Sequence, residues 1–116
     1  MGDRGHVKIE KTGVVLYTHW NATELPDILA TALSHEKRWH DPEYLGRIIF
    51  DHVSGRARDF TGAGIGTQTH SDAWRVLSVD CDEGTVTFEE GHGYGDDRYA
   101  GETYTFEEFV EEFHNA

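Results

Sequence analysis

The stretch HVKIEKTGVVLYTH, residues 6–19, decides the fold because it predicts two adjacent antiparallel strands joined by a tight turn. Gly13 ends that turn, where a short hairpin needs a positive backbone φ that glycine adopts readily. The second strand is apolar on both faces, which predicts that both sides of it are covered. Residues two apart in a strand point the same way, so Tyr17 and His19 share one side.

Three amphipathic stretches follow the hairpin and predict helices. The first covers residues 23–39, and the second covers residues 42–54, each with apolar residues at helical spacing along one face. The third lies at the carboxyl end, in residues 103–116. There Thr105 and Glu108 have the spacing of a capping box, in which each side chain binds the other residue's backbone N–H.

Strands are also predicted near residues 62–70, 74–80 and 85–90, where β-branched and aromatic residues alternate with polar ones. The resulting order is ββααβββα. It predicts an α+β fold, a compact single domain over residues 1–116 with an antiparallel sheet, two central helices and a C-terminal helix.

The charge is distributed unevenly along the 116 residues. The formal net charge is −12, and residues 1–75 contribute −1 of it while residues 76–116 contribute −11. Such a surface disfavours nucleic acid, whose phosphates need basic partners. No apolar run approaches the roughly 20 residues that span a bilayer, and no leader peptide is visible. We therefore expect a cytoplasmic protein that binds neither nucleic acid nor membrane. The scarcity of lysine beside abundant acids suggests, as a hypothesis, a halophilic source.

The glycine-rich stretch TGAGIG, residues 61–66, is a candidate ligand site. Its glycines allow the backbone to approach a ligand, and its N–H groups suit an anion. Two arginines just upstream add positive charge. The candidate binding residues here are Arg56, Arg58, Thr61, Gly62, Gly64 and Gly66. The alternative is structural, with the glycines permitting a bulge or a closely packed strand.

The aromatic residues at the end of the second strand are the next candidates. Tyr17 or Trp20 could stack on a nucleotide base, and His19 could donate a hydrogen bond to phosphate or ribose. The alternative places Trp20 in the core beneath the first helix and gives His19 one ordinary hydrogen bond.

Arg47 and Asp51 lie four residues apart on the second helix. An exposed pair at this spacing contributes little, but a site that extended over this face could use Arg47 to bind phosphate and Asp51 to orient it or to bind ribose. Phe50 lies on the side opposite the apolar stripe of the helix. That position predicts a contact with another subunit and hence a homo-oligomer.

Catalytic and metal-binding patterns are weak. The eight histidines are scattered, and no zinc motif is present. Cys81 lies between two acids, which disfavour the thiolate that acts as a nucleophile. We therefore expect no metal, no cofactor and no catalytic residue. The competing hypothesis is a hydrolase that uses His19 or His70 as a general base.

The string YTHW…ELP.IL..AL…RW.DP.YL.RIIF…TG.GI, which starts at Tyr17, and the closing TFEEFV resemble a family of small uncharacterised phage and prokaryotic proteins, including haloarchaeal ones. Where that family usually has glycines after the tryptophan, this sequence has Asn21-Ala22. The resemblance covers most of the chain, and it implies no activity by itself.

Small phage proteins of similar build include sponges, which sequester nucleotide immune signals. By that analogy we expect non-enzymatic binding and sequestration of a small nucleotide-derived signalling molecule, of ADP-ribose type or a cyclic nucleotide, by a viral inhibitor of host immune signalling. The alternatives are a phosphodiesterase or hydrolase acting on such a nucleotide and an acidic inhibitor of a host protein. Fold-level analogy alone does not establish any of these functions.

Overall fold

The computed structural model describes residues 4–55, 62–69, 73–90 and 97–114. It confirms the α+β class and the expected order, with one short strand added before the last helix. The elements are β1 (Gly5–Ile9), β2 (Val14–Thr18), α1 (Leu25–Leu33), α2 (Pro42–Gly55), β3 (Ala63–Gly66), β4 (Arg75–Asp80), β5 (Thr85–Phe88), β6 (Thr103–Thr105) and α3 (Phe106–Phe113). No helix in these four ranges is long and apolar enough to cross a membrane.

The strands form one six-stranded sheet in the order β3-β2-β1-β4-β5-β6. The predicted hairpin is confirmed, and both Lys11 and Gly13 in its turn have a positive φ, of 72° and 75°. Four of the five strand pairings are antiparallel, as expected. β1 and β4 pair in parallel instead. A parallel pair needs a long crossover, and the chain through α1, α2 and β3 supplies it.

The helices cover one face of the sheet. Val7 and Ile9 of β1 point toward them, as do Leu16 of β2 and Leu77 of β4, and all four are at most 3% exposed. The helix side chains that complete this core are Leu25, Ile28, Leu29, Leu33, Leu45, Ile49, Val53, Phe106 and Phe109. The predicted apolar stripes thus face the sheet.

α1 is shorter than the predicted helix over residues 23–39. It ends at Leu33, because Glu36 and Arg38 have left-handed backbones with φ of 56° and 60°. Trp39, expected on the helix, folds back instead, and its indole N–H donates to the Leu33 carbonyl at 2.9 Å. The N-cap is Glu24, which makes no side-chain capping bond.

α3 begins at Phe106, directly after the predicted cap Thr105, and residues 103–105 pair with β5 as a strand. The predicted capping box is confirmed. The Glu108 N–H donates to Thr105 Oγ1 at 3.1 Å, and the Thr105 N–H donates to Glu108 Oε1 at 2.9 Å. Thr105 therefore both ends β6 and caps the helix.

Candidate functional site

The end of β2 and the residues leading into β3 form the two walls of one pocket. The His19 N–H donates to the Gly62 carbonyl at 2.9 Å, which extends the β2–β3 ladder beyond the strand ends. A cavity of about 210 Å³ opens beside this contact. We call it the β2 pocket, and its described lining residues are Arg4, Tyr17, Thr18, His19, Gly62, Ala63 and Gly64.

The described lining of the β2 pocket carries a different charge from the chain as a whole, which is acidic. Arg4 lines it, and none of its described lining residues is a carboxylate. By contrast, a pocket of about 520 Å³ is lined by the acids Asp27 and Glu112 as well as by Arg75 and Arg98. Another of about 370 Å³ beside α3 is lined by three glutamates. Unlike charges attract and like charges repel, so an anion is better accommodated in the β2 pocket than in these two.

Tyr17 lies across β3 and explains two of its glycines. A Cβ atom on Gly66 would overlap the Tyr17 hydroxyl, and one on Gly64 would lie 3.0 Å from Tyr17 Cδ2. The Tyr17 ring also contacts the ring of His6, with the centroids 4.9 Å apart. Gly64 and Gly66 therefore provide the space that this ring occupies. The structure supports the structural interpretation of these two glycines.

The N–H groups of Gly64 and Gly66 do not face a ligand. Hydrogen-bonded and non-bonded pairs alternate along an antiparallel ladder. Because the His19–Gly62 pair is hydrogen-bonded, so are the Tyr17–Gly64 and Val15–Gly66 pairs two and four residues further on. An anion in the β2 pocket would therefore be held by side chains, whereas the sequence suggested the glycine backbone.

Trp20 is a surface residue. Its side chain is 54% exposed, and its ring stacks on that of His19 with centroids 5.3 Å apart and 27° between the planes. The interpretation of Trp20 as a core residue is therefore wrong. His19 and Tyr17 both line the β2 pocket, as their shared side of the strand predicted.

Arg47 and Asp51 lie elsewhere. Arg47 Nε donates to Asp51 Oδ1 at 3.0 Å, and the two side chains are 75% and 57% exposed. Arg47 lines a groove of about 600 Å³ between α2, the β1–β2 turn and β3. We call this the β3 groove. The structure thus does not bring Arg47 into the β2 pocket.

Phe50 also lines the β3 groove, and it packs half-buried against the core of its own chain. Its contact with another subunit stays a prediction. Three other candidates, Arg56, Arg58 and Thr61, lie outside the described residues, as does His70.

Sequence reasoning missed the strongest polar contact of the described chain, an ion pair between Arg75 and Asp97. Arg75 Nε and Nη2 each donate to one Asp97 carboxylate oxygen at 2.8 Å, and the side chains are only 7% and 4% exposed. Arg75 Nη1 also donates to the carbonyls of Ala22 and Thr23 at 3.0 and 3.3 Å. The ion pair joins β4 to the segment before β6, and the two carbonyl contacts join β4 to the turn before α1. Its separation of 22 residues leaves no periodic signal in a sequence.

Cys81 is a buried free cysteine. Burial raises the pKa of its thiol to about 11, and the nearby carboxylates of Asp80, Asp82 and Asp41 act in the same direction. Both effects disfavour the thiolate, which supports the expectation of a poor nucleophile. Within the described ranges, no three or more His, Cys, Asp or Glu side chains are grouped so that they could hold a metal ion.

Comparison of the chain with protein-family models, with curated protein sequences and with solved structures finds no match in any of the three. The resemblance described above therefore stays a prediction.

Proposed function

We propose that the protein binds a small nucleotide-derived anion in the β2 pocket and holds it without converting it. The observation that carries this proposal is the meeting of Arg4, Tyr17 and His19 around one cavity beside the Gly62 bend. A guanidinium is suited to phosphate, an imidazole can bind phosphate or ribose oxygens, and an aromatic ring supplies an apolar wall. Together these groups match the parts of a nucleotide.

Each side chain has a role in this proposal. Arg4 binds a phosphate through its planar fork of N–H donors. His19 donates to a phosphate or ribose oxygen from the pocket wall. The base stacks on the face of Trp20 that His19 leaves open, since that ring is more than half exposed next to the pocket.

The size of the pocket limits the ligand. Small-molecule sites usually enclose about 300–1,000 Å³, whereas the β2 pocket encloses about 210 Å³. It accommodates a phosphate and part of a sugar, and the base remains outside on Trp20. The ligand class is therefore a nucleotide of which one phosphate and part of a sugar enter the pocket, as the ribose phosphate of an ADP-ribose-type or cyclic-nucleotide signal could do.

Sequestration of such a signal is the role suggested by the resemblance to small phage proteins. A hydrolase would use the same pocket with His19 as general base. An acidic inhibitor of a host protein would use the carboxy-terminal third and would not need the pocket. One series of measurements distinguishes these three functions, namely sequestration, hydrolysis and inhibition of a host protein.

The first measurement is calorimetric titration with AMP, ADP-ribose, a cyclic dinucleotide and, as a phosphate-free probe, adenosine. We expect at least one phosphorylated compound to bind and adenosine to bind more weakly. Arg4→Gln should weaken binding by about 1.5–3 kcal/mol, the usual contribution of a hydrogen bond to a charged group. Trp20→Ala should cost about 1–3 kcal/mol if the base stacks there.

The matched control is Arg38→Gln, which removes the same charge from an exposed arginine paired with Asp41, away from the pocket. Equal losses of nucleotide affinity in Arg4→Gln and Arg38→Gln would show that the effect arises from the net charge of the protein. That result would contradict the proposed site. Chromatography of the ligand released by heat should recover it intact, and new products would establish the hydrolase instead. No binding by any probe, together with capture of a host polypeptide, would favour the inhibitor.

A further inference from the structure

β3 lies at one edge of the described sheet. Among the described strands its one neighbour is β2. Since Gly64 and Gly66 exchange hydrogen bonds with β2, the N–H and C=O groups of Ala63 and Ile65 face away from the sheet. Natural edge strands usually carry a lysine, a proline or a bulge that blocks further pairing. The sequence of β3, Ala-Gly-Ile-Gly, contains no lysine or proline.

An exposed apolar side chain accompanies these backbone groups. Ile65 is 61% exposed, more than Trp20 and Tyr44, the other large exposed apolar residues in the described part of the chain. It pairs with Leu16 in the ladder and so lies on the helix-covered face, beside Phe50 in the β3 groove. The apolar face of the sheet therefore continues to the edge at a point where the helices no longer cover it.

The charge distribution makes the surroundings of β3 a part of the chain where a second copy can approach with little repulsion. Two copies with a net charge of −12 repel each other over most of their surface. β3 is uncharged and belongs to the nearly neutral residues 1–75. The β3 groove carries both signs: Lys11 and Arg47, which pair with Asp82 and Asp51 of the same chain, and Asp41 and Glu43. A rim of mixed sign can complement itself across a two-fold axis, as an interface between identical surfaces requires.

We propose that the protein forms a two-fold dimer in which β3 pairs antiparallel with β3 of a second copy. With the axis at Gly64, Ala63 lies opposite Ile65 of the partner subunit, and Ile65 lies opposite Ala63 of the partner subunit. The outward N–H and C=O groups of these residues then form four hydrogen bonds. The two sheets become one continuous sheet, and Ile65 is buried at the junction of the two grooves.

The same axis brings the two ligand pockets together, because Gly64 also lines the β2 pocket. The dimer does not depend on the proposed ligand, since β3 pairs through its own backbone. Loss of the dimer and loss of nucleotide binding are therefore separate outcomes.

The test is sedimentation velocity over a series of micromolar concentrations. We expect a species of twice the 13.1 kDa of one chain. Ile65→Pro removes an outward N–H and leaves the β2 ladder intact, because an edge strand tolerates proline where the N–H faces outward. Ile65→Lys places a charge at the junction. Both variants should sediment as monomers, whereas Tyr44→Lys, an equally drastic change at an exposed residue outside the groove, should remain dimeric.

Amide hydrogen exchange examines the pairing itself. In the dimer the Ala63 and Ile65 amides should be protected, and in Ile65→Lys the Ala63 amide should exchange freely while Gly64 and Gly66 stay protected by β2. Circular dichroism checks that each variant is folded, and Ile65→Lys carries the test if Ile65→Pro is not. A monomeric wild type, a dimer that survives Ile65→Lys, or rapid exchange at Ala63 and Ile65 in the dimer would each overturn the proposal.

Discussion

Two arginine–aspartate pairs have opposite environments in this molecule. Arg75 and Asp97 form two hydrogen bonds with side chains 7% and 4% exposed, while Arg47 and Asp51 form one with side chains 75% and 57% exposed. The residue types are the same, and the surroundings differ. Water solvates and screens the exposed pair, so it contributes little. In the buried pair each charge depends on the other, because neither can be hydrated.

The difference shows that an ion pair that is easily recognised in the sequence is not therefore one that contributes much to the stability of the fold. The weak pair has helical spacing and is easily noticed. The strong pair joins residues from different parts of the chain, and the guanidinium of Arg75 also lies over the ring of Trp74, 4.6 Å from its centroid. Three measurements of the free energy of unfolding test whether burial decides how much a charged or titratable group affects stability.

The largest effect is expected from Asp97→Ala. It leaves the Arg75 guanidinium buried without a counter-charge and should lower the free energy of unfolding by about 3–5 kcal/mol. Urea unfolding followed by fluorescence measures this change, with Asp51→Ala as the matched control. Replacing both members, Arg75→Met with Asp97→Leu, should recover most of the loss. A cost below about 1 kcal/mol for Asp97→Ala would remove the contrast between the two pairs.

A smaller effect on the free energy of unfolding is expected from the ionisation of Cys81, a buried thiol for which the neighbouring charges that shift its pKa are all acidic. Its thiol has a pKa of about 11 when folded, against an ordinary value of 9.0. Above pH 9 the unfolded chain loses this proton while the folded chain keeps it, so stability should fall as the pH rises from 9 to 11. Two pKa units correspond to about 2.7 kcal/mol. Unfolding at several pH values should show that slope, and Cys81→Ala should reduce it. Equal slopes in the two proteins would contradict the burial argument.

The smallest effect is expected from Arg47→Ala, about 0.5 kcal/mol or less in the free energy of unfolding. High salt should abolish it, since salt screens exposed charges, whereas the cost of Asp97→Ala should persist. The same variant also locates the ligand. Arg47 lies outside the β2 pocket, so nucleotide affinity should be unchanged in calorimetry. A large loss of affinity would instead move the ligand to the β3 groove.

The candidate site was partly predictable from the sequence. Strand alternation placed Tyr17 and His19 on one side, and both line the β2 pocket. The role of the glycines was less predictable, because the position of the Tyr17 ring over Gly64 and Gly66 depends on the register of two strands far apart in the chain. No pattern in the sequence indicated that Arg4 would line the pocket. It reaches the pocket only because β1 lies next to β2.

The sequence by itself determined the features that depend on near neighbours. These are the β1–β2 hairpin, the apolar stripes of the helices, the capping box of α3 and the concentration of acid in residues 76–116. Each follows from dihedral preference, periodicity or composition within a few residues. Tertiary structure alone decided the parallel pairing of β1 with β4, the Arg75–Asp97 pair and the walls of the β2 pocket. These depend on which distant segments pack together, and local spacing carries no information about that choice.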